Sequence, residues 1–191
     1  MNEPEDDVLV GRVAAGDHAA FARLMARHMR RAIGIARGVG RNPADADEIA
    51  QDAFLRLWTH AARFDPARGG FTPWFARIVL NLTLDHRRRP AALELESADT
   101  VADTTPDALT RLIGAERDAL LQAGLDQLGE RQRAAIVLFH YEGIAGRDCA
   151  RILDISEDAF ESLLARARRK LRRSLTPIDP DARAGRKETG S

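Results

Sequence analysis

Sixteen residues in the middle of the chain, PAALELESADTVADTT (90–105), limit what the rest can build. Small and acidic side chains dominate the stretch, and its apolar residues keep no sustained helical or strand period, so it reads as a linker. A chain of 191 residues divided there has room on either side for one small domain each. Charge follows the same division. Residues 1–90 carry 14 basic and 11 acidic side chains, residues 91–118 carry 2 and 7, and residues 119–175 carry 10 and 8. The whole balances at 29 of each sign, so only local maxima point to an anionic partner. Residues 63–89 hold six arginines against Asp65 and Asp85, and residues 166–173 hold six basic side chains and no acid.

Both blocks are helical in pattern. Val, Ile and Thr are sparse, no run alternates at period 2 for long, and no repeat is present. Asn42-Pro43, Thr72-Pro73 and Thr105-Pro106 each place a capping side chain before a proline, whose missing N–H costs nothing at the first helical position. These signals predict helices near 4–15, 17–38, 43–63, 73–88, 106–124, 130–141, 146–153 and 157–174. The expected fold is all-α: two small helical domains joined by a flexible linker, the second with a helix-turn-helix. Their expected extents are 1–90, linker 91–105, 106–175, and a disordered Pro/Gly-rich tail over 176–191.

Several function classes drop out. With 45% hydrophobic residues the chain can bury a core and is not an unstructured polyelectrolyte. The single cysteine, Cys149, excludes a disulfide framework or a multi-cysteine metal site and fits a reducing compartment. It sits within a short helical segment and reads as a buried small apolar residue, with a thiol sensor as the alternative. MNEPEDDVLVGRV at the N-terminus is acidic and lacks the apolar core of a signal peptide. No apolar run approaches the ~18 residues of a membrane span, so a soluble intracellular protein is expected. The five histidines are scattered, with no HExxH pair and no phosphate-cradling glycine motif, so neither a metal, a cofactor nor an enzyme is expected.

On a helical wheel over 43–63, Ala46, Ile49, Ala50, Ala53 and Leu57 fall together and face the core. Glu48, Gln51, Asp52 and Thr59 lie opposite, with Leu55 among them and Trp58 at the edge. An apolar pair beside carboxylates and an amide suits protein docking; a solvated face with a stray Leu is the plainer alternative. Next comes the turn-rich loop FDPARGG (64–70). The helix expected at 73–88 buries Phe75, Ile78, Val79 and Leu82. It gathers Arg77, Asn81 and Arg88 into a stripe of ~40°, beside Trp74 and Asp85, and ends in Arg87-Arg88-Arg89. Guanidinium groups pair with phosphates and base edges, and aromatic faces receive unstacked bases, so loop and stripe suit partly opened DNA. Otherwise Trp74 and Phe71 are core and the arginines merely solvated.

In the second block, GRDCARIL (146–153), the turn Asp154-Ile155-Ser156 and a helix capped by Ser156 have helix-turn-helix proportions. Phe160, Leu164, Ala167 and Leu171 recur at inward spacing, while Asp158, Ser162, Ala165, Arg166, Arg169 and Arg173 point out. Such a helix would read base edges with its N-terminal half and phosphates with its basic C-terminal half. A surface helix whose basic end complements its own dipole is the alternative.

Taken in order, these blocks resemble the extracytoplasmic-function sigma factors of bacterial RNA polymerase. DADEIAQDAFLRLW (45–58) is similar to their polymerase-docking helix, FTPWFARIVLNLTLDHRRRP (71–90) to their minus-10 element, and LDQLGERQRAAIVLFHYEGIAGRDCARILDISEDAFESLLARARRKLRR (125–173) to their minus-35 domain. The resemblance implies docking of core RNA polymerase, on the clamp of the beta-prime subunit, through Asp47, Glu48, Gln51, Asp52, Leu55, Arg56 and Trp58. It implies capture of the single-stranded minus-10 element through Arg68, Phe71, Trp74, Arg77, Asn81, Asp85, Arg87, Arg88 and Arg89, with a flipped base held to stabilise the bubble. Duplex promoter DNA at minus 35 would meet Ser156, Asp158, Glu161, Ser162, Ala165, Arg166, Arg169 and Arg173. An anti-sigma factor is the further partner implied, and no covalent chemistry belongs to such a chain. Members commonly carry a basic residue and an arginine where this chain has Glu161 and Leu163, so the family's usual minus-35 sequence is not carried over. A stand-alone helix-turn-helix regulator would also use 146–174, but it leaves 43–89 without a task.

Overall fold

The computed structural model describes residues 4–40, 42–88 and 122–175, and every regular element among them is helical. The expected linker, the tail and most of the helix expected at 106–124 lie outside the described residues. In the first block α1 spans Asp6–Ala14, α2 His18–Val39, α3 Ala46–His60 and α4 Phe71–Arg88. Asp17 caps α2 by accepting from the Ala20 N–H at 3.0 Å, filling one of the donors a helix start leaves open. Asn42 does the same for Ala44 at 3.1 Å, but a 3-10 turn over Pro43–Asp45 intervenes before α3, and a second over Ala61–Arg63 follows it. The helix expected at 43–63 is thus an α-helical middle with tightened ends.

Helix α4 starts earlier than Thr72-Pro73 suggests. Its cap comes from outside: Asp7 of α1 accepts from the Phe71 N–H at 2.8 Å. Pro73 therefore sits in the first turn rather than at its first position, still among residues whose N–H has no partner within the helix. The face expected to be buried also turns. Phe75 and Val79 are buried as expected, but Ile78 and Leu82 are only half-buried, and Phe71, Ala76, Leu80 and Thr83 fill the core instead. Thr83 is accommodated because its hydroxyl donates to the Val79 carbonyl at 2.8 Å. Phe54, which the wheel for α3 passes over, is 2% exposed and packs on Phe75 with ring centroids 4.7 Å apart.

In the second block α5 covers 122–126, α6 Glu130–Ile136, α7 Gly146–Ile152 and α8 Glu157–Leu175. The continuous helix expected at 130–141 is α6 followed by a π-helical turn, Val137–Tyr141. There the Glu142 N–H reaches back to the Val137 carbonyl at 3.0 Å. Helix α8 packs on α6 and α7 through Phe160, Leu164 and Ala167, all buried.

The two blocks do not stand apart. Helix α2 packs against α6 and the π-turn, α4 packs against α7, and the buried apolar residues of both blocks form one continuous core. At the seam Arg133 is 2% exposed; it donates to the Gly40 carbonyl at 3.2 Å and pairs with Asp126 at 3.0 Å. Arg31 pairs with Glu142 at 3.3 Å, and Arg87 lies 3.6 Å from Glu130.

Candidate polymerase and nucleic-acid interface

Helix α3 turns Ile49, Ala50, Ala53 and Leu57 into the core, which forces the opposite face outward. On that face Asp47, Glu48, Gln51, Asp52, Leu55 and Arg56 are exposed, Leu55 at 62%. Trp58 is half-buried at the edge: it stacks on His18 at 4.6 Å and meets Phe21 edge-on at 5.2 Å. The expected docking residues thus come together on one helix, with Trp58 held rigidly by aromatic neighbours rather than free.

Along α4, Arg77, Asn81, Asp85 and Arg88 are exposed in one stripe. Arg68 is exposed on the turn Pro66–Arg68, whose start is capped by Asp65 accepting from the Ala67 N–H at 3.0 Å. The following Gly69 has φ +138°, a conformation that side chains oppose. Trp74 is half-buried, packed edge-on against Phe64 at 5.3 Å. Phe71 requires a correction. It is 1% exposed and stacks on Phe75 at 5.4 Å, with its backbone held by Asp7, so it is part of the core beneath the α4 stripe and offers no free ring. Arg87 is half-buried, donating to the Val39 carbonyl at 3.3 Å besides lying near Glu130. Arg89 lies outside the described residues.

In the helix-turn-helix, Ser156 caps α8 by accepting from the Ala159 N–H at 3.2 Å. The turn is closed by the Ile155 N–H donating to the Ala150 carbonyl at 3.0 Å, with Asp154 at φ +55°, a region that aspartate tolerates better than most residues. This fixes the angle of α8 and leaves Ser156, Asp158, Glu161, Ser162, Ala165, Arg166, Arg169 and Arg173 exposed along it. Arg168 is tied back, donating to His140 Nε2 at 2.9 Å and lying 5.5 Å over the Phe139 ring. The thiol of Cys149 is fully buried, donates to the Ile144 carbonyl at 3.4 Å, and is pushed up by burial to about 12. Reactive cysteines need thiolate character and access, so the sensor alternative has no support here.

A cleft of about 780 Å³ has Asp65, Arg68, Trp74 and Arg77 of the first block on one wall and Asp148, Arg151, Asp154 and Ile155 of the second on the other, with Arg151 paired to Asp148 at 3.3 Å. Burial pushes the Glu142 carboxyl above the usual carboxylate range, against the pull of Arg31. Burial and the neighbouring Arg87 hold Arg133 below the usual arginine range. Sequence reading passes over Arg31, Arg133, Glu142, Gly34 and Gly38. The one available signal is a pair of glycines four residues apart inside a long helix. Among the described residues no cluster of three or more His, Cys, Asp or Glu could hold a metal, and no helix is long and apolar enough to cross a membrane.

Two family models match, Sigma-70 region 2 over residues 24–92 and Sigma-70, region 4 over residues 118–171. Over 179 residues the chain is 36% identical to the ECF RNA polymerase sigma factor SigM of Mycobacterium tuberculosis, covering 91% of this chain and 86% of that one. It is 34% identical to the RNA polymerase sigma factor NccH of Alcaligenes xylosoxydans xylosoxydans, with 90% and 95% covered. Among solved structures, CnrH in complex with the cytosolic domain of CnrY superposes with a TM-score of 0.69 at 32% identity, over 89% of this chain and 96% of that one.

Proposed function

The chain belongs to the extracytoplasmic-function sigma factors of bacterial RNA polymerase, and from that membership we propose how its surfaces divide the work. As a sigma factor it directs RNA polymerase to promoters; its own residues bind and position, and the RNA is made by the polymerase. The observation that carries the division is the simultaneous exposure of the α3 face, the α4 stripe and the outer face of α8, in sigma-factor order along one chain.

The α3 face, centred on Leu55 and Gln51, docks on the clamp of the beta-prime subunit, an apolar anchor ringed by polar groups. The α4 stripe and the 64–70 loop hold the single-stranded minus-10 element: Arg77, Arg88 and Arg89 meet phosphates, while Trp74 and Asn81 meet a base turned out of the stack. Helix α8 enters the major groove of the duplex at minus 35, with Ser156, Asp158, Glu161 and Ser162 toward base edges and Arg166, Arg169 and Arg173 toward phosphates. Glu161 accepts from a cytosine N4 amine, which gives this chain a minus-35 preference of its own. The working units are residues 1–90 and 106–175, with 91–105 spanning the promoter spacer and 176–191 as a tail. Their place of work is the cytoplasm. CnrH is solved with the cytosolic domain of CnrY, and we extend that kind of partnership to this chain as an anti-sigma factor that covers the same surfaces.

Gel-filtration co-elution with bacterial core polymerase, followed by strand opening on the chain's own upstream DNA, tests the reading. Co-elution with opening is expected. Duplex binding with no affinity for polymerase would overturn it in favour of an autonomous helix-turn-helix regulator.

A further inference from the structure

Lying in a major groove ~12 Å wide, a recognition helix meets base edges with its outermost stripe and a phosphate strand with each flank. At ~100° per residue, Asp158, Ser162, Ala165 and Arg169 form the outermost stripe of α8, opposite the buried Phe160, Leu164 and Ala167. One flank carries Arg166 and Lys170. The other carries Arg168 and Arg172 beside Glu161, all three exposed, and there the carboxylate repels the phosphates that the cations attract. On that side one arginine decides whether the flank is neutral or positive. Arg168 is the one that the structure withholds.

Its Nε donates to His140 Nε2 at 2.9 Å, and its guanidinium lies 5.5 Å over the Phe139 ring; both partners belong to the π-turn Val137–Tyr141. Arginine has donors only. The bond therefore requires an unprotonated Nε2, with the ring neutral and its proton on Nδ1. A second proton would make Nε2 a donor and set two cations against each other, so the bond could not persist. Other charges around the π-turn are engaged elsewhere or exposed. The turn packs against α2, α6 and α7. On α2, Arg31 pairs with Glu142 and Arg37 shares a hollow with Tyr141 and Glu142. On α6, Arg133 pairs with Asp126, Glu130 lies near Arg87, and Arg131 is exposed. On α7, Asp148 pairs with Arg151, and Arg147 is exposed. Partial burial and the Arg168 charge hold the His140 ring below the ordinary histidine range, so at neutral pH it is the neutral acceptor.

We propose that Arg168 is a further phosphate contact of the minus-35 reader, held in reserve by the neutral His140 and released when that ring gains a proton. The inference rests on the sigma-factor reading above, which gives α8 its place in the groove. Once released, the guanidinium leaves an exposed cation–π contact for a charge-assisted bond to a phosphate oxygen, the stronger of the two. Affinity at minus 35 therefore rises as pH falls through the His140 titration, and the added contact steepens the salt dependence by about 0.9 in slope. Were the ring only a brace for the fold, its removal would weaken binding instead.

The test uses holoenzyme assembled from the full chain and core polymerase, with a duplex fragment of the chain's own upstream DNA that ends before minus 10. Fluorescence anisotropy reads affinity between about pH 8 and pH 5, spanning the ordinary histidine value of ~6.5. His140→Ala frees Arg168 at every pH, so it should bind several-fold tighter than wild type at the alkaline end and vary less with pH. His140→Gln keeps an acceptor that does not titrate, and should stay at the alkaline wild-type affinity throughout. Adding Arg168→Met to His140→Ala should remove the gain. His140→Ala binding no tighter than wild type at the alkaline end, or a wild-type acid rise that survives intact in Arg168→Met, would overturn the reserve contact. No binding at any pH by wild type and variants alike would sink the sigma-factor reading, and the reserve contact with it. Nitrogen NMR of His140 in the free chain is an independent check. The neutral ring should carry its proton on Nδ1, and Arg168→Met should raise the pH at which the ring titrates. A proton on Nε2, or an unchanged titration, would count against the pair.

Discussion

Helix α4 owes its first turn to a residue 64 positions upstream, and that debt can be measured. Replacing Asp7 with Ala removes the acceptor that holds the Phe71 N–H at 2.8 Å. Loss of a capping side chain costs ~0.5–2 kcal/mol, and a carboxylate at a helix N-terminus adds ~0.3–1 kcal/mol through the dipole. The Asp7 side chain is part-buried, so water replaces it incompletely and the sum should be ~1–2.5 kcal/mol. For a chain of this size each kcal/mol moves Tm by ~2–4 °C, giving a fall of roughly 2–10 °C. Asp7→Asn keeps the acceptor and loses only the charge, so it should recover more than half of that fall. Calorimetry reads the stability. Hydrogen exchange should show protection lost at Phe71–Phe75 first, and promoter opening should decline with it because Trp74 lies in that turn. An Ala variant with unchanged Tm, or an Asn variant as weak as Ala, would refute the cap.

Other outcomes separate the surfaces. Trp74→Ala and Arg88→Ala should each reduce promoter opening at least tenfold while retaining co-elution with core polymerase; lost co-elution would place these residues in docking instead. Leu55→Asp should do the reverse, abolishing co-elution without changing Tm by more than about 2 °C, since an exposed substitution moves stability by ~0.5 kcal/mol or less. Cys149 supplies a pH test. Its folded-state value is raised from 9.0 to about 12, so the unfolded chain loses the proton first. The stabilisation is complete below pH 9 and is lost as pH rises from 9 toward 12, by ~1.4 kcal/mol per pH unit at most. Alkaline melting of the Cys149→Ala variant should lack that slope relative to wild type, after allowing for the variant's own small cavity.

The helices were legible because inward residues recur at helical spacing and most starts are local: Asp17, Asn42 and Ser156 each cap a chain segment two or three residues on. The start of α4 was not, because its cap is remote. Phe71 illustrates the same limit. An aromatic at the head of a basic stripe looks like a base platform until packing places it on Phe75 and His28. The exposed faces of α3 and α8 follow from period alone, since each is what remains when the core face is assigned. The seam between the blocks had no such signature. Its charges balance, Arg133 occupies a position that packing makes interior, and nothing local distinguishes Arg31 from the solvated arginines around it.

The π-turn at 137–141 has a consequence of register. Its wider bond accommodates one residue more than an α-helix would over the same path, and each residue turns the chain by ~100°. Removing one residue there would leave α6 and α8 with their own sequences intact. It would swing Glu142 a quarter-turn or more from Arg31 and carry Val137 out of the space above Gly38. Whether the second block seats on the first is thus settled by an integer, the number of residues between Ile136 and Gly143. A single-residue deletion there would thus shift the seam without changing any side chain on the exposed faces of α3, α4 or α8.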